Sequence, residues 1–114
     1  MPADERYGAI LRALVAEQGI TRFGVFDGSG EGLPMPGGLE EFSGYLIDDR
    51  GRHFAFWVAW DETRGDYCLS EWESAPFDPE WLADDEYRRA RADAGREPGG
   101  RSEADRLIGK NWIV

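Results

Sequence analysis

The sequence predicts an α+β fold: a four-stranded, mainly antiparallel sheet, an N-terminal helix packed on one face, and C-terminal helix and tail elements on or beyond the other. Three observations carry this. Apolar residues near the N-terminus recur every three or four positions. Four segments rich in aromatic and β-branched residues follow, the last three separated by short turns that carry glycine. An Asp-Pro pair then opens a second helical pattern. The 114 residues fit one domain, 1–114, in which 96–101 is a flexible Gly-Pro linker to a short C-terminal helix and an apolar tail.

In residues 4–18, Tyr7, Ile10, Leu11, Leu14 and Val15 form one stripe, with Asp4 placed to cap the start and Gly19 to end the helix. Residues 20–26 read as a first strand. Residues 27–41 are rich in Gly and Pro and read as an irregular connection. Segments 42–48, 53–61 and 66–73 read as three further strands, turning at Arg50-Gly51 and at residues 62–65. The next helix has Asp78 as N-cap and Pro79 at its first position, with Phe77 and Leu82 spaced as a hydrophobic staple. Asp84, Asp85 and Glu86 lie early in it, and Arg88, Arg89 and Arg91 late, which suits the helix dipole and the pairs Asp84–Arg88 and Asp85–Arg89. Its apolar stripe is Ala83, Tyr87, Ala90 and Ala94, and Gly95 ends it. Ser102 is placed to cap a last short helix, and the tail Asn111-Trp112-Ile113-Val114 is apolar enough to dock.

Pairing Asp48 with His53 gives a hairpin register in which Tyr45 faces Phe56; pairing Asp61 with Asp66 sets Val58 against Leu69. One face then collects Tyr45, Ile47, Phe54, Phe56, Val58, Trp60, Tyr67 and Leu69. The other collects Phe42, Leu46, Ala55, Trp57, Ala59, Cys68 and Trp72, and is too apolar to be left wet. In this register Glu71 and Glu73 point into the core, which is costly.

The formal net charge is −10, and one stretch holds nearly all of it: residues 61–86 carry ten acids and only Arg64. Such a field repels phosphates and anionic lipid, so neither direct nucleic-acid binding nor a membrane partner is expected. Twelve Arg against one Lys fit a GC-rich, bacterial or phage, genome. The single Cys68 excludes an internal disulfide and a cysteine-based zinc cluster. With no apolar leader or spanning stretch, a cytoplasmic location is expected.

Four features have residue types that could carry chemistry. In Gly24–Gly32, the residues Asp27, Ser29, Glu31 and Gly32 match early positions of a calcium loop, but its twelfth position is Gly38 where a bidentate Glu is needed. The same loop runs into Pro34 and not into a helix N-terminus, so it is no phosphate cradle. His53 beside Asp48 and Asp49 has no partner nucleophile. Glu71 and Glu73 beside Trp72 resemble the acids of a sugar cleft, without the cleft. No metal and no cofactor is expected. The expected function is a small non-enzymatic interaction module, of inhibitor, immunity or regulatory kind, that docks a basic protein through Asp61, Glu62, Asp66, Glu71, Trp72, Glu73, Trp81, Asp84 and Asp85. The rim Asp27, Glu31, Glu40 and Glu41 adds to it. The alternatives are a small-ligand domain using a face made of Trp57, Trp72 and Trp112, and a nucleic-acid mimic. A homodimer through the second sheet face or the tail is a further way to cover the aromatic residues.

Overall fold

The computed structural model describes residues 3–95. The predicted linker, last helix and tail, with Trp112, lie outside them. In chain order the elements are α1 (Ala3–Ala16), β1 (Phe23–Met35), β2 (Leu39–Asp48), β3 (His53–Asp61), β4 (Asp66–Ser74), a 3-10 turn (Pro79–Ala83) and α2 (Asp85–Ala94). The strands form one antiparallel meander in the order β1-β2-β3-β4. The α+β class and the antiparallel sheet with a helix on each face are those the sequence predicts.

The stripe of α1 does what its spacing implies. Leu11 and Val15 are buried with Ile20 against Leu46, Phe56 and Val58, and Ile10, Leu14, Phe54, Leu69 and Trp72 close around them. The Gly19 stop holds: the residue takes a positive φ of 81°, and the Ile20 N–H bonds back to the Val15 carbonyl at 3.3 Å. On the other face, α2 presents Tyr87, Ala90 and Ala94 to Phe26 and Ile47. Small residues at 90 and 94 let the helix lie close on β1. Gly24 completes that approach, because a Cβ there would sit on the Ala90 carbonyl.

The register of β2 on β3 differs from the expected one by a single residue. Ile47 pairs with His53 and Tyr45 with Ala55. The cause is the turn. The Asp48 N–H bonds the Arg52 carbonyl at 3.0 Å, so Asp48 and Arg52 close a three-residue loop with Gly51 at φ 77°. A one-residue shift exchanges faces: Tyr45 and Ile47 point toward α2, while Phe42, Leu46, Phe54 and Phe56 point toward α1.

The β3–β4 register is as expected at Val58–Leu69 and Asp61–Asp66, and then a bulge intervenes. Leu69 pairs with Val58 but Glu71 pairs with Trp57, which leaves Ser70 as the extra residue. Ser70 Oγ donates to the Trp57 carbonyl at 3.3 Å. The bulge removes the conflict in the straight register. Glu71 and Glu73 turn out of the α1 core, and Trp72 turns into it, stacked on Phe54 at 4.6 Å between ring centroids and 10° between planes.

Residues 27–41 are not an irregular loop. β1 runs to Met35 through two register shifts, between Phe26 and Ser29 and between Gly30 and Pro34, and turns at residues 36–38. Asp27 carries a positive φ of 53° at the first shift, where Gly44 of β2 leaves room: a Cβ on Gly44 would stand 2.8 Å from Gly28 Cα. The stretch is therefore a bulged edge strand, a form that resists pairing with other chains.

The second helix is also divided. Asp78 caps only the 3-10 turn, accepting from the Glu80 N–H at 2.9 Å; Asp84 then caps α2, accepting from the Glu86 N–H at 2.9 Å. The Phe77–Leu82 staple does not form, and both side chains are about half exposed. Arg88 pairs with Asp85, one residue nearer than in the expected Asp85–Arg89 pair.

Candidate interaction face

The two helices cover unequal shares of the sheet. α2 packs over β1 and β2 and meets β3 at His53. Among the described residues no helix packs over the β3–β4 half of that face. Strand alternation and the Ser70 bulge place Ala55, Trp57, Ala59, Cys68, Glu71 and Glu73 there, with Glu41 from β2 and Asp61 and Asp66 at the turn end. Glu71 and Glu73 are exposed, and Trp57 and Cys68 half-buried.

Trp57 is held in place. Its Nε1–H donates to Glu41 Oε1 at 2.9 Å, across the sheet from its direct neighbour Glu71. The indole is thereby fixed with carboxylates on two sides, an arrangement that attracts a guanidinium or ammonium group to the ring face. The negative field registers at Cys68. Burial pushes its thiol above the usual range, and the Asp61, Glu41 and Asp66 carboxylates push it further, against Arg64 alone. A thiol held protonated in this way is a poor nucleophile.

The expected site residues separate into groups. Asp61, Asp66, Glu71 and Glu73 lie on the bare half-face. Asp61 also orders its turn, accepting from the Thr63 and Arg64 N–H groups at 2.9 and 3.2 Å. Glu62 is exposed on that turn. Trp72 is corrected: it belongs to the α1 core, on the opposite side of the sheet from Trp57, so the two do not form one ligand face. Trp81 is a half-buried member of an aromatic cluster and not a bare anchor. Asp84 is occupied as the α2 cap and Asp85 by Arg88. Of the rim, Glu40 and Glu41 stand near the end where Tyr67 OH donates to the Pro36 carbonyl at 3.1 Å. Asp27 is elsewhere, beside the start of α2, with its N–H on Glu86 Oε2 at 3.1 Å. The residue missed by the sequence reading is Glu41 as the holder of Trp57. Its partner was hidden by the one-residue register error.

A second cluster surrounds His53. Phe26, Phe77, Trp81 and Tyr87 ring it, with Trp81 at 5.1 Å and Tyr87 stacked at 5.7 Å between centroids, and Tyr45 packs behind on Phe26 and Trp81. Its Nε2 lies 2.9 Å from Tyr87 OH. The expected Asp48–His53 pair is not a hydrogen bond: the Asp48 carboxylate turns into its own loop and takes the Arg50 and Arg52 N–H groups and Arg52 Nε. Burial lowers the imidazole from its ordinary value of 6.5, against the pull of Asp48 and with help from Arg91. The fold therefore prefers the neutral ring. Its stabilisation is whole above pH about 6.5 and is lost as pH falls toward the lower folded value. The urea midpoint of the wild-type chain is expected to fall between pH 7.5 and 5.5, and that of His53→Phe to fall less. Equal slopes for the two would contradict this account.

Among the described residues, no group of three or more His, Cys, Asp or Glu is placed to hold a metal ion, and no helix is long and apolar enough to cross a membrane. No protein-family model, curated protein or solved structure matches this chain.

Proposed function

We propose that this protein is a small acidic interaction module that docks a basic protein on the uncovered β3–β4 half-face. The observation that carries the reading is the half-sheet that no helix covers among the described residues, with Trp57 fixed by Glu41 at its centre and Glu71, Glu73, Asp61 and Asp66 around it. Aromatic anchors with a charged surround are the usual make-up of an interface centre and its rim. An arginine of the partner fits between the Trp57 ring and Glu71, where stacking and a charge-assisted hydrogen bond act together. The carboxylates steer the encounter, so association is salt-sensitive. The row along β4 is broken by Cys68 between Asp66 and Glu71. That break favours discrete arginine or lysine contacts over the even spacing a nucleic-acid mimic needs.

The test is capture from a lysate of the source organism by the immobilised full chain at low and at high salt. A basic protein retained at low salt is expected to bind Trp57→Ala, and the double variant Glu71→Lys/Glu73→Lys, at least about tenfold more weakly, a change of 1.4 kcal/mol or more. Glu17→Lys, in the exposed turn just past α1, leaves binding unchanged. Capture that ignores the half-face variants, or no basic partner at either salt, would sink the reading.

A further inference from the structure

A cleft of about 420 Å³ opens between α1 and the bulged part of β1, on the opposite side of the sheet from the proposed docking face. Leu11, Phe42 and Phe56 form its apolar wall, and Tyr7 closes one side, its ring edge-on to Phe42 at 4.6 Å. The cleft exists because three glycines line it: Gly8, Gly28 and Gly30.

Gly8 is the informative one. It lies inside α1, where glycine is a weak helix former. Nothing in the backbone requires it. A Cβ at this position would meet only Arg12 Nη2, at 3.7 Å, which is ordinary contact. What a larger side chain would take is the space of the cleft. Two opposite charges, neither of them among the residues that line the cleft, stand beside two of these glycines. The Arg12 guanidinium lies over Gly8, and Glu40 Oε2 is 3.3 Å from where a Cβ on Gly30 would be. The Glu40 N–H donates to Tyr7 OH at 3.0 Å, which ties the acid's strand to the cleft wall.

From this geometry we infer that the α1–β1 cleft binds a small zwitterion with an apolar side group, of the class of a free aromatic amino acid. The side group fills the space above Phe42 and Phe56, the ammonium faces Glu40, and the carboxylate faces Arg12. An apolar pocket with a few convergent polar groups is the usual form of such a site. The two charges beside the cleft distinguish a zwitterion from a simple cation or anion.

Amide shifts of the 15N-labelled full chain, titrated with L-phenylalanine, test this. Phenethylamine, which lacks the carboxylate, and hydrocinnamate, which lacks the amine, serve as controls. Phenylalanine is expected to move the Gly8, Gly28 and Gly30 amides at millimolar concentration and to bind at least about fivefold more tightly than either control. Glu40→Gln removes that advantage over hydrocinnamate, and Arg12→Gln the advantage over phenethylamine. Gly8→Leu abolishes the shifts. Gly8→Ala keeps a folded protein, with a Tm higher by about 4 °C, and weakens binding. Unmoved glycine amides at saturating phenylalanine, or equal binding of all three compounds, would overturn the inference.

Discussion

Gly24→Val is expected to destabilise the protein by about 3 kcal/mol or more, and to do so by lifting α2 off the sheet. The clash is with backbone. A Cβ on Gly24 would overlap the Ala90 carbonyl, and a helix carbonyl cannot rotate aside as a side chain can. Moving α2 outward unpacks Phe26, Tyr87, Ala90 and Ala94, all buried now, and loosens the aromatic contacts of Trp81 with Phe26 and Tyr87. Voids on that side forfeit the dispersion contacts of several rings together. Urea unfolding followed by fluorescence, with near-ultraviolet circular dichroism of the aromatic cluster, measures the effect. Gly24→Ala should lose somewhat less, in the same direction. A loss below 1 kcal/mol for the valine variant would mean that β1 and α2 separate at little cost, and that the close approach is not what seats the helix.

The helix stripes and the meander were legible because their signals are local. Five apolar residues at helical spacing in α1 fix that element's type without reference to distant contacts, whereas the cap and proline at Asp78 and Pro79 mark a helical start that is realised as the 3-10 turn ahead of α2. What was not legible is how the faces are assigned. Both sides of β2 and β3 are apolar: Leu46, Phe54 and Phe56 on one, Tyr45, Ile47 and Trp57 on the other. Alternation fixes a register only when one face is polar, so either register satisfied the pattern. The turn decides, and a three-residue loop with Gly51 differs from a four-residue one by a backbone detail that composition does not reveal.

The site suffered from the same ambiguity. The straight register placed two glutamates against phenylalanines, and that conflict was itself the signal of a bulge. Ser70 resolves it by one extra residue, which exposes Glu71 and Glu73 and buries Trp72. An acidic segment was visible as a run of charge from Asp61 onward. That its acids divide, some to caps and turns and some to a bare half-face around Trp57, follows only from which surface α2 covers. α2 lies over β1 because Gly24, Ala90 and Ala94 allow it to, and among the described residues the consequence is a β3–β4 surface that no helix covers.

Asp48→Ala should show how much depends on the turn that sets this arrangement. Asp48 is fully buried. One carboxylate oxygen accepts from the Arg50 and Arg52 N–H groups at 3.0 and 2.8 Å, and the other from Arg52 Nε at 2.6 Å. Arg52 is half exposed, so the ion pair alone contributes modestly. The larger loss is the two backbone donors left without an acceptor in a part-buried loop, together with charge-assisted bonds that pre-form the turn. The expected destabilisation is about 2–3 kcal/mol. Asp48→Asn retains an oxygen for the two N–H groups but sets an amide donor toward Arg52 Nε, so it should lose about 1 kcal/mol. The two variants separate turn closure from the ion pair. Because both sheet faces are apolar, the alanine variant has a second outcome open to it. Without the Asp48 cage, a share of the molecules can pair Asp48 with His53 instead of Ile47 with His53, which would carry Tyr45 to the α1 side. Cross-strand nuclear Overhauser contacts at Ile47 and His53 distinguish weakened native pairing from slipped pairing. If Asp48→Ala is as stable as wild type with those contacts intact, the three-residue loop forms without its aspartate, and the register must be held by the packing of Phe56 and Leu46 under α1.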